Sequence, residues 1–321
     1  MAGLTLDEFN GEERWSAEWW RGAVKRLPRS KPSALGDVIL PRGFVIARWT
    51  FLTVAALCVW LIAFSFVFSG IEEHRAQHTL YAKLRETLAS GEHPVPIGTT
   101  GVIGHGTAVA LINAPEVGLH NVVIVEGTTS SDLRKGPGHK RDTPLPGQPG
   151  TSEVFGRSTT FGGPFADVPR LQPGDHFTVT TGQGVLEYSV NAIRHSGDPV
   201  TEPAVGTSRL TLVTSQGSGW RSGWAPSRTV YVDAALQGGP KPATDGRPNY
   251  SVANEGVMHS DTSGLLALVL WLEVFVVVIV GAIWASRRWG EVPSWTVGGV
   301  SALAVLWVMT DVSSGLLPNL V

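Results

Sequence analysis

Cysteine is almost absent from this chain. The 321 residues contain one, Cys58, which lies inside an apolar run near the N-terminus. No disulfide can form within the chain, and the polar middle of the sequence has no thiol that could act as a nucleophile or bind a soft metal ion. The sequence therefore predicts no metal site and no cofactor.

An excess of charge is also missing, as are two common glycine signatures. With 25 basic and 27 acidic residues the formal net charge is −2, whereas nucleic-acid-binding proteins normally present a concentrated basic face. The 38 glycines form no strand–GxGxxG–helix arrangement for a dinucleotide. The Gly-x-Ser-x-Gly elbow of many serine hydrolases does not occur either. A nucleic-acid partner is not expected.

Three long runs, residues 49–69, 264–285 and 295–317, carry almost no charge. Each is about as long as a bilayer-spanning helix, which needs ~20 residues. The first run exceeds the ~7–15 apolar residues of a cleaved signal peptide, so we interpret it as a retained anchor. Glu273 and Asp311 lie in or near the later runs, where ionisable residues are candidates for a role in helix association.

Basic residues predict the orientation of these runs, because cytoplasmic flanks collect lysine and arginine. Arg287 and Arg288 lie between the second and third runs, and many more basic residues precede the first. The N-terminus and residues 286–294 are therefore expected in the cytoplasm, and residues 70–263 outside. The basic residues before the first run are Arg14, Arg21, Lys25, Arg26, Arg29, Lys31, Arg42 and Arg48.

The resulting prediction is a multi-pass cell-membrane protein with an extracytoplasmic middle domain. Its Trp-rich N-terminal stretch at 14–27 fits either an amphipathic helix on the inner membrane surface or a soluble helix. In chain order the predicted parts are a cytoplasmic segment (1–48), a first transmembrane helix (49–69), an extracytoplasmic helix and linker (70–100), a β-domain (101–236), a second linker (237–263), a second transmembrane helix (264–285), a cytoplasmic connection (286–294) and a third transmembrane helix (295–317).

Residues 71–90 are predicted to form a helix that raises the middle domain above the bilayer, because their leucines recur at four-residue spacing. His74 and His78 lie one helical turn apart, a spacing that can bind metal. No third ligand lies nearby in the sequence, so we interpret the pair as part of a solvated face.

The middle domain is predicted to be all-β. Apolar and polar residues alternate in short runs, which is typical of strands with one buried face. Seven or eight such strands in this length fit a closed barrel, although periodicity alone does not distinguish a barrel from a sandwich. The predicted strands are 107–113, 121–126, 152–156, 176–181, 185–194, 209–214 and 228–235.

A long glycine- and proline-rich stretch interrupts these strands between residues 124 and 165. It contains GPGH at 136–139, TPLPGQPG at 143–150 and GRSTTFG at 156–162, and LQPGDHFTVTT, RLTLVTS and SRTVYVDAAL follow later. This set of motifs resembles the class E sortases of actinobacteria. The resemblance implies a sortase-like β-barrel at the cell surface, which acts on cell-wall or other surface polypeptides that carry a sorting signal.

In sortases a cysteine thiolate attacks a backbone carbonyl, a histidine handles protons, and an arginine steadies the oxyanion or the substrate. The resemblance places these positions at Ser215, Arg157 and Arg228 respectively, so the catalytic cysteine and histidine are both replaced. It also implies that Thr159, Thr160 and His139 line the binding site.

These replacements predict an inactive transpeptidase. A serine hydroxyl needs an adjacent base, and arginine stays protonated. His139, His176 and His195 are the remaining histidines considered as a base. Arg157 and Arg228 with Ser215 form a pocket for a carboxylate, a phosphate or a peptide carbonyl. Alternatively, Arg157 pairs with an acidic neighbour, Glu153 or Asp167.

Three functions are compatible with the sequence. The first is a membrane-anchored pseudo-sortase, a pseudoenzyme that binds or organises a polypeptide partner without cleaving it. The second is an active transpeptidase or hydrolase that uses Ser215. The third is a structural subunit of a membrane complex, in which the C-terminal helical hairpin is the main contact. We also expect that deletion of residues 136–150 leaves a folded barrel.

Overall fold

The computed structural model describes residues 42–91, 103–217, 226, 228–243, 255–260 and 262–321. The predictions for the Trp-rich stretch 14–27 and for most of both linkers lie outside the described residues. The chain forms two compact units, Met1–Ala56 and Leu57–Val321. The described part of the first unit belongs to helix α1 (Arg42–Ala63), and the barrel, the remaining helices and the candidate site all belong to the second.

Eight strands close into one barrel, which confirms the all-β prediction and excludes the sandwich. Their order around the barrel is β1-β2-β3-β4-β7-β8-β6-β5. The pairs β2–β3 and β4–β7 are parallel, and the other pairs are antiparallel. The strands are β1 (Ala108–Ala114), β2 (Leu119–Glu126), β3 (Gly138–His139), β4 (Gly150–Phe155), β5 (His176–Thr181), β6 (Gly184–His195), β7 (Ser208–Gln216) and β8 (Arg228–Leu236).

Strand β3 has two residues and was not predicted, because a run this short carries no period. It nevertheless joins β2 to β4 and closes the barrel. Glycine is required at its first residue, since a side chain at Gly138 would overlap the Gly127 carbonyl and Leu133. The premise of the predicted deletion, that residues 136–150 lie at the surface and not in the core, is wrong: this loop contains a strand of the wall and buries Leu145 and Gln148.

Helix α2 (Ser69–Ala89) follows α1 after one π-helical turn, Phe64–Phe68, and packs along the outside of the barrel. Its predicted leucine stripe faces β1 and β2, where Leu84 is buried with Leu111 and Val123. Gln77 adds two hydrogen bonds to this contact, as the backbone of a neighbouring strand would. Its Oε1 accepts from the Val123 amide at 2.7 Å, and its Nε2 donates to the Val123 carbonyl at 3.1 Å. The helix is thus part of the domain.

Helices α3 (Leu265–Trp289) and α4 (Glu291–Ser314) form the C-terminal hairpin. They meet at Gly290, whose φ of +99° suits glycine. The break between them is therefore one residue, and most of the predicted connection 286–294 is helical. Both helices are long and apolar enough to cross a membrane over Leu265–Trp289 and Val292–Ser314. A transmembrane role for residues 49–69 stays a prediction.

The end of α1, the π-helical turn and α4 share an aromatic contact. Trp60 Nε1 donates to Thr310 Oγ1 at 3.0 Å, and the Phe64 and Trp307 rings meet edge-on with centroids 5.0 Å apart. Edge-to-face pairs of this kind contribute about 0.5–1.5 kcal/mol beyond their buried area. The hairpin therefore packs on the helix that leads into the barrel.

Candidate functional site

Gly156 and Arg157 directly follow β4, where the chain leaves the barrel wall. The Gly156 amide still donates to the Val213 carbonyl of β7 at 2.9 Å, so the β4–β7 pairing extends past the strand. A side chain at position 156 would overlap the Phe165 ring. The Phe165 amide in turn donates to the Arg157 carbonyl at 2.9 Å. This close packing sets the direction in which Arg157 leaves the strand.

The Arg157 side chain is 0 % exposed. Its Nη1 donates to Thr160 Oγ1 at 3.0 Å and to the backbone oxygen of Val321 at 2.9 Å. Its Nη2 donates to Ser130 Oγ at 2.7 Å and to the Ser130 carbonyl at 3.2 Å. The Cζ atom lies 5.0 Å from the centroid of the Phe161 ring, within cation–π range. The Nε atom is buried without a hydrogen-bond partner.

Arg157 forms no ion pair with a carboxylate in the described part of the chain. The predicted alternative, a pair with Glu153 or Asp167, is wrong. Glu153 pairs with Lys140 at 3.2 Å, and Asp167 pairs with Arg170 at the same distance. A buried guanidinium without a carboxylate favours electronegative groups beside it, which supports the other alternative, an anion or carbonyl site.

Burial, with a smaller contribution from the nearby cation of Arg134, lowers the pKa of Arg157 to about 9. Even at this value the guanidinium keeps its proton at neutral pH. Arg157 therefore donates hydrogen bonds and cannot accept a proton from a neighbouring hydroxyl. The position that the resemblance assigns to a proton carrier holds a fixed positive charge.

Ser215 lies near the end of β7 and is 2 % exposed. Its Oγ lies 2.7 Å from Ser158 Oγ and donates to the Leu320 carbonyl at 2.6 Å. The Ser158 amide donates to the same carbonyl at 3.1 Å, and Ser158 Oγ lies 3.2 Å from it. Ser215 and Arg157 are thus brought together: they bind the backbone oxygens of two consecutive residues, Leu320 and Val321.

Two of the other predicted site residues, Thr160 and Thr159, lie at the site. Thr160 is buried in the site and donates to the Val321 backbone oxygen, while Thr159 lies at its edge, 3.2 Å from Ser158 Oγ. Arg228 is exposed on β8, paired in register with Gln216. Among the described residues, none forms a hydrogen bond or an ion pair with the Arg228 side chain.

None of the three histidines considered as a base contacts Ser215. His139, which was predicted to line the binding site, is buried, with Nδ1 2.9 Å from Glu126 Oε2 and Nε2 2.8 Å from the Pro144 carbonyl. It holds the loop around β3. His176 and His195 are exposed at other places on the barrel.

Sequence reasoning missed the segment that fills the site, residues 318–321. The Leu320 side chain is 0 % exposed and packs with Leu133, Phe155 and Val213. The backbone of the same segment supplies the two oxygens that Ser215 and Arg157 bind. We call the space bounded by Arg157, Ser158, Thr160 and Ser215 the Arg157–Ser215 cleft. No local pattern signals this contact, because 105 residues separate Ser215 from Leu320 and 164 separate Arg157 from Val321.

Phe161, whose ring lies beside Arg157, has a backbone conformation that a bulky residue rarely adopts. Its φ is +52°, in the left-handed region that costs a non-glycine residue roughly 1–2 kcal/mol. The Phe161 amide donates to Ser69 Oγ at the start of α2, at 3.0 Å. Strained residues of this kind are concentrated at functional sites.

A second polar cluster lies near the cleft. His105, Asp132 and Glu255 bring ligand atoms within 4.8 Å of one another, and His105 Nδ1 is 3.0 Å from Asp132 Oδ2. Arg141 contributes the positive charge of this cluster, since its guanidinium contacts His105 and lies 3.7 Å from Glu255 Oε1. The cluster joins residue 255 to the barrel.

The geometry of the cleft suits binding of a peptide that turns, because the Val321 amide of the bound segment donates to the Pro318 carbonyl at 3.1 Å. A peptide carbonyl receives one backbone amide and two hydroxyls, and the next backbone oxygen receives a guanidinium and a hydroxyl. Nucleophilic attack needs something different. The Ser215 proton would have to go to a base, whereas here it is directed at the oxygen of the bound carbonyl.

The comparisons with known proteins agree with this fold. A family model described as the sortase domain matches residues 112–234, while a search of curated proteins found no match. Among solved structures, the sortase D5 transpeptidase of Clostridium perfringens is 24% identical, with a TM-score of 0.42, and the alignment covers 51% of this chain and 99% of that one.

Two further sortase structures are similar to part of the chain. Sortase E from Streptomyces avermitilis is 28% identical, with 42% of this chain and 91% of that one covered and a TM-score of 0.35. The SrtF sortase from Corynebacterium diphtheriae is 24% identical, with 49% and 96% covered and a TM-score of 0.38. The assignment depends on the family model and on the closed barrel that carries its motifs: residues 112–234 of this chain are a sortase domain.

Proposed function

We propose that this chain is a membrane-anchored, extracytoplasmic, non-catalytic sortase-like protein that binds a polypeptide partner in the Arg157–Ser215 cleft. One observation carries the proposal. The two positions that would have to exchange a proton with substrate hold a permanently charged arginine and a serine whose hydroxyl donates to a bound carbonyl. Such a cleft recognises a peptide backbone without a means of cleaving it.

The motifs support a surface role of the class E kind. The loop sequences GPGH, TPLPGQPG and GRSTTFG are those on which the resemblance depends. The basic residues before position 49 and at Arg287 and Arg288 support a cytoplasmic N-terminus and hairpin turn. With the barrel at the other end of the hairpin, this orientation presents the cleft to the cell surface.

Mass spectrometry of the purified full-length protein tests the absence of catalysis. After incubation with peptides that carry a sorting signal, we expect no acyl adduct on Ser215 and no cleaved peptide. The Ser215→Ala variant is the matched control, and it should give the same spectrum. An adduct that is present on the unchanged protein and missing from the variant would replace this proposal with an active serine transpeptidase or hydrolase.

The structural-subunit function is the second candidate, and the hairpin is the observation that favours it. Helix α3 exposes apolar side chains along its length, and Glu273 is exposed among them without a partner in the described residues. Asp311 has a different role, because it pairs with Arg134 of the barrel. Co-purification with Glu273→Gln tests this candidate: loss of a membrane partner would favour an α3-mediated subunit, and retention would favour the cleft.

A further inference from the structure

The 318–321 segment is held in the cleft by three independent kinds of contact. The first is a leucine pocket: Leu320 packs against Leu133, Phe155 and Val213, all of them fully buried. Burial of a leucine side chain removes apolar surface from water and so stabilises the bound segment. This pocket opens beside Ser215, so an aliphatic side chain and its carbonyl are recognised together.

The second kind of contact is to the peptide backbone. Ser158 and Ser215 bind the Leu320 carbonyl, while Thr160 and Arg157 bind the backbone oxygen of Val321. Hydrogen bonds from a charged donor are stronger than those between neutral groups. The buried guanidinium pairs with no carboxylate in the described residues. An oxygen from the bound segment therefore offsets part of the cost of burying its positive charge.

The third kind of contact is through Asn319. Its amide donates to the His259 carbonyl at 2.9 Å, and its Nδ2 donates to the carbonyls of Thr128 at 3.0 Å and Gly256 at 2.8 Å. The segment therefore bridges the loop after β2 and residues 256–259. Both sides of the segment therefore contact the rest of the protein.

The segment is also tethered. Ser130 Oγ, which accepts from Arg157, lies 3.4 Å from the Ser314 carbonyl at the end of α4. Arg134 pairs with Asp311 one turn earlier in the same helix. Because the helix end is fixed to the barrel, the segment has a high local concentration at the cleft, on the millimolar scale typical of short linkers.

We propose that the Arg157–Ser215 cleft is a binding site for a short peptide in a turn, with a leucine followed by a residue that presents an oxygen to Arg157, and that residues 318–321, whose Val321 amide donates to the Pro318 carbonyl at 3.1 Å, are its tethered ligand. An external peptide of this class binds by displacing the segment. Binding of an external peptide rests on the proposed function, whereas occupancy of the cleft by residues 318–321 does not.

Cysteine labelling of the full-length protein tests the occupancy. In a Cys58→Ser background, Ser215→Cys reports access to the cleft, and Val205→Cys, at 104 % exposure, reports an open surface. We expect Ser215→Cys to react with a maleimide slowly. Adding Leu320→Asp, which puts a carboxylate into the leucine pocket, should raise that rate about tenfold or more because the closed population falls.

Two controls keep this result interpretable. The rate at Val205→Cys should not change with Leu320→Asp, and deletion of residues 318–321 should raise the rate at Ser215→Cys as the substitution does. Circular dichroism reports whether each variant keeps the barrel. A rate at Ser215→Cys equal to that at Val205→Cys in the parent chain, or an unchanged rate in both variants that retain the barrel, overturns the tethered ligand.

A fluorescent peptide, Leu-Pro-Asn-Leu-Val, tests the ligand class separately. It should bind the Leu320→Asp variant measurably and the parent chain at least about tenfold more weakly, because it must compete with the tethered segment. Adding Arg157→Met should weaken binding, because the backbone oxygen of the peptide's last residue loses its charged donor. Faster labelling without peptide binding would overturn the peptide site and the proposed function, and leave only the tethered contact.

Discussion

At the scale of single residues, the proposed function depends on two side chains, Arg157 and Ser215. Arg157 cannot carry a proton between substrate and solvent, and Ser215 has no base among its partners, which are Ser158 Oγ and the Leu320 carbonyl. The same two side chains are well placed as hydrogen-bond donors. In the proposed function, the chemistry of the site is therefore recognition of oxygen atoms on a peptide backbone.

Restoring the sortase residues should recover catalysis only when the cleft is also vacated. Ser215→Cys alone leaves no proton carrier, and Ser215→Cys with Arg157→His still has the Leu320 carbonyl against position 215. We expect an acyl-enzyme with sorting-signal peptides only when these two substitutions are combined with removal of residues 318–321. Mass spectrometry detects it as a peptide adduct on the introduced cysteine. An adduct on Ser215→Cys alone would show that Arg157 does not prevent turnover.

Gly156→Ala should destabilise the barrel, because the added methyl group overlaps the Phe165 ring. Overpacking of a buried site typically costs 1–3 kcal/mol, which lowers the midpoint of thermal unfolding. Gly239→Ala is the control, since a side chain there meets nothing within 4 Å. Equal midpoints for the two variants would mean that the backbone at position 156 shifts without cost.

At the scale of elements, α2 is an outer layer of the sortase domain. Gln77 bonds both backbone groups of Val123, and its Nε2 also donates to the Lys135 carbonyl at 2.7 Å. The helix therefore links β2 to the loop that precedes β3. Closure of the barrel at its shortest strand depends on this link as well as on the strand itself.

Leu84→Ala should weaken the packing of α2 on the barrel. The side chain is buried against Ala108, Leu111 and Val123, and such truncations cost about 2–5 kcal/mol. Lys83→Ala, on the exposed face of the same helix, should change little. Thermal unfolding of the two variants measures the difference, and similar midpoints would mean that α2 is not part of the cooperative unit.

Glu73 on α2 makes stability depend on pH. Burial raises the pKa of Glu73 from 4.5 to about 7. The unfolded chain therefore loses this proton first, so the contribution of Glu73 to stability falls as the pH rises from 4.5 through about 7. Glu73→Gln should reduce the loss of thermal stability between about pH 5 and about pH 8. Glu86→Gln, exposed on the same helix, should leave the pH profile as it is.

At the scale of the whole molecule, the end of α4 lies at the barrel through the contacts of Ser314 and Asp311. Helix α4 has 24 residues, so the turn at Gly290 is ~36 Å along the helix from that end. This distance exceeds the ~30 Å hydrocarbon core of a bilayer. The arrangement is compatible with a barrel on one side of a membrane and the hairpin turn on the other.

Cysteine accessibility in intact cells tests this topology. In a Cys58→Ser background, Val205→Cys on the barrel should react with a membrane-impermeant maleimide, because Val205 is fully exposed outside. Trp289→Cys, at the hairpin turn and 74 % exposed, should react only after the membrane is permeabilised. Labelling of both positions in intact cells would exclude a membrane-spanning hairpin.

The sequence by itself determined much of this protein. Alternating runs located every strand except β3, leucine spacing located α2, and apolar length located α3 and α4. The motifs around residues 136–162 and the RLTLVTS run indicated the sortase domain and the importance of Arg157 and Ser215. These features are local or depend on side-chain chemistry, so they can be read without knowing which distant residues meet.

The tertiary structure decided what the site does with those residues. It showed that Arg157 has no carboxylate from Glu153 or Asp167, that the loop around β3 is part of the barrel wall, and that Asp311 reaches Arg134. It also placed Leu320 and Val321 on Ser215 and Arg157. These are contacts between residues far apart in the chain, and their energies come from burial and hydrogen-bond geometry that exist only once the barrel has closed.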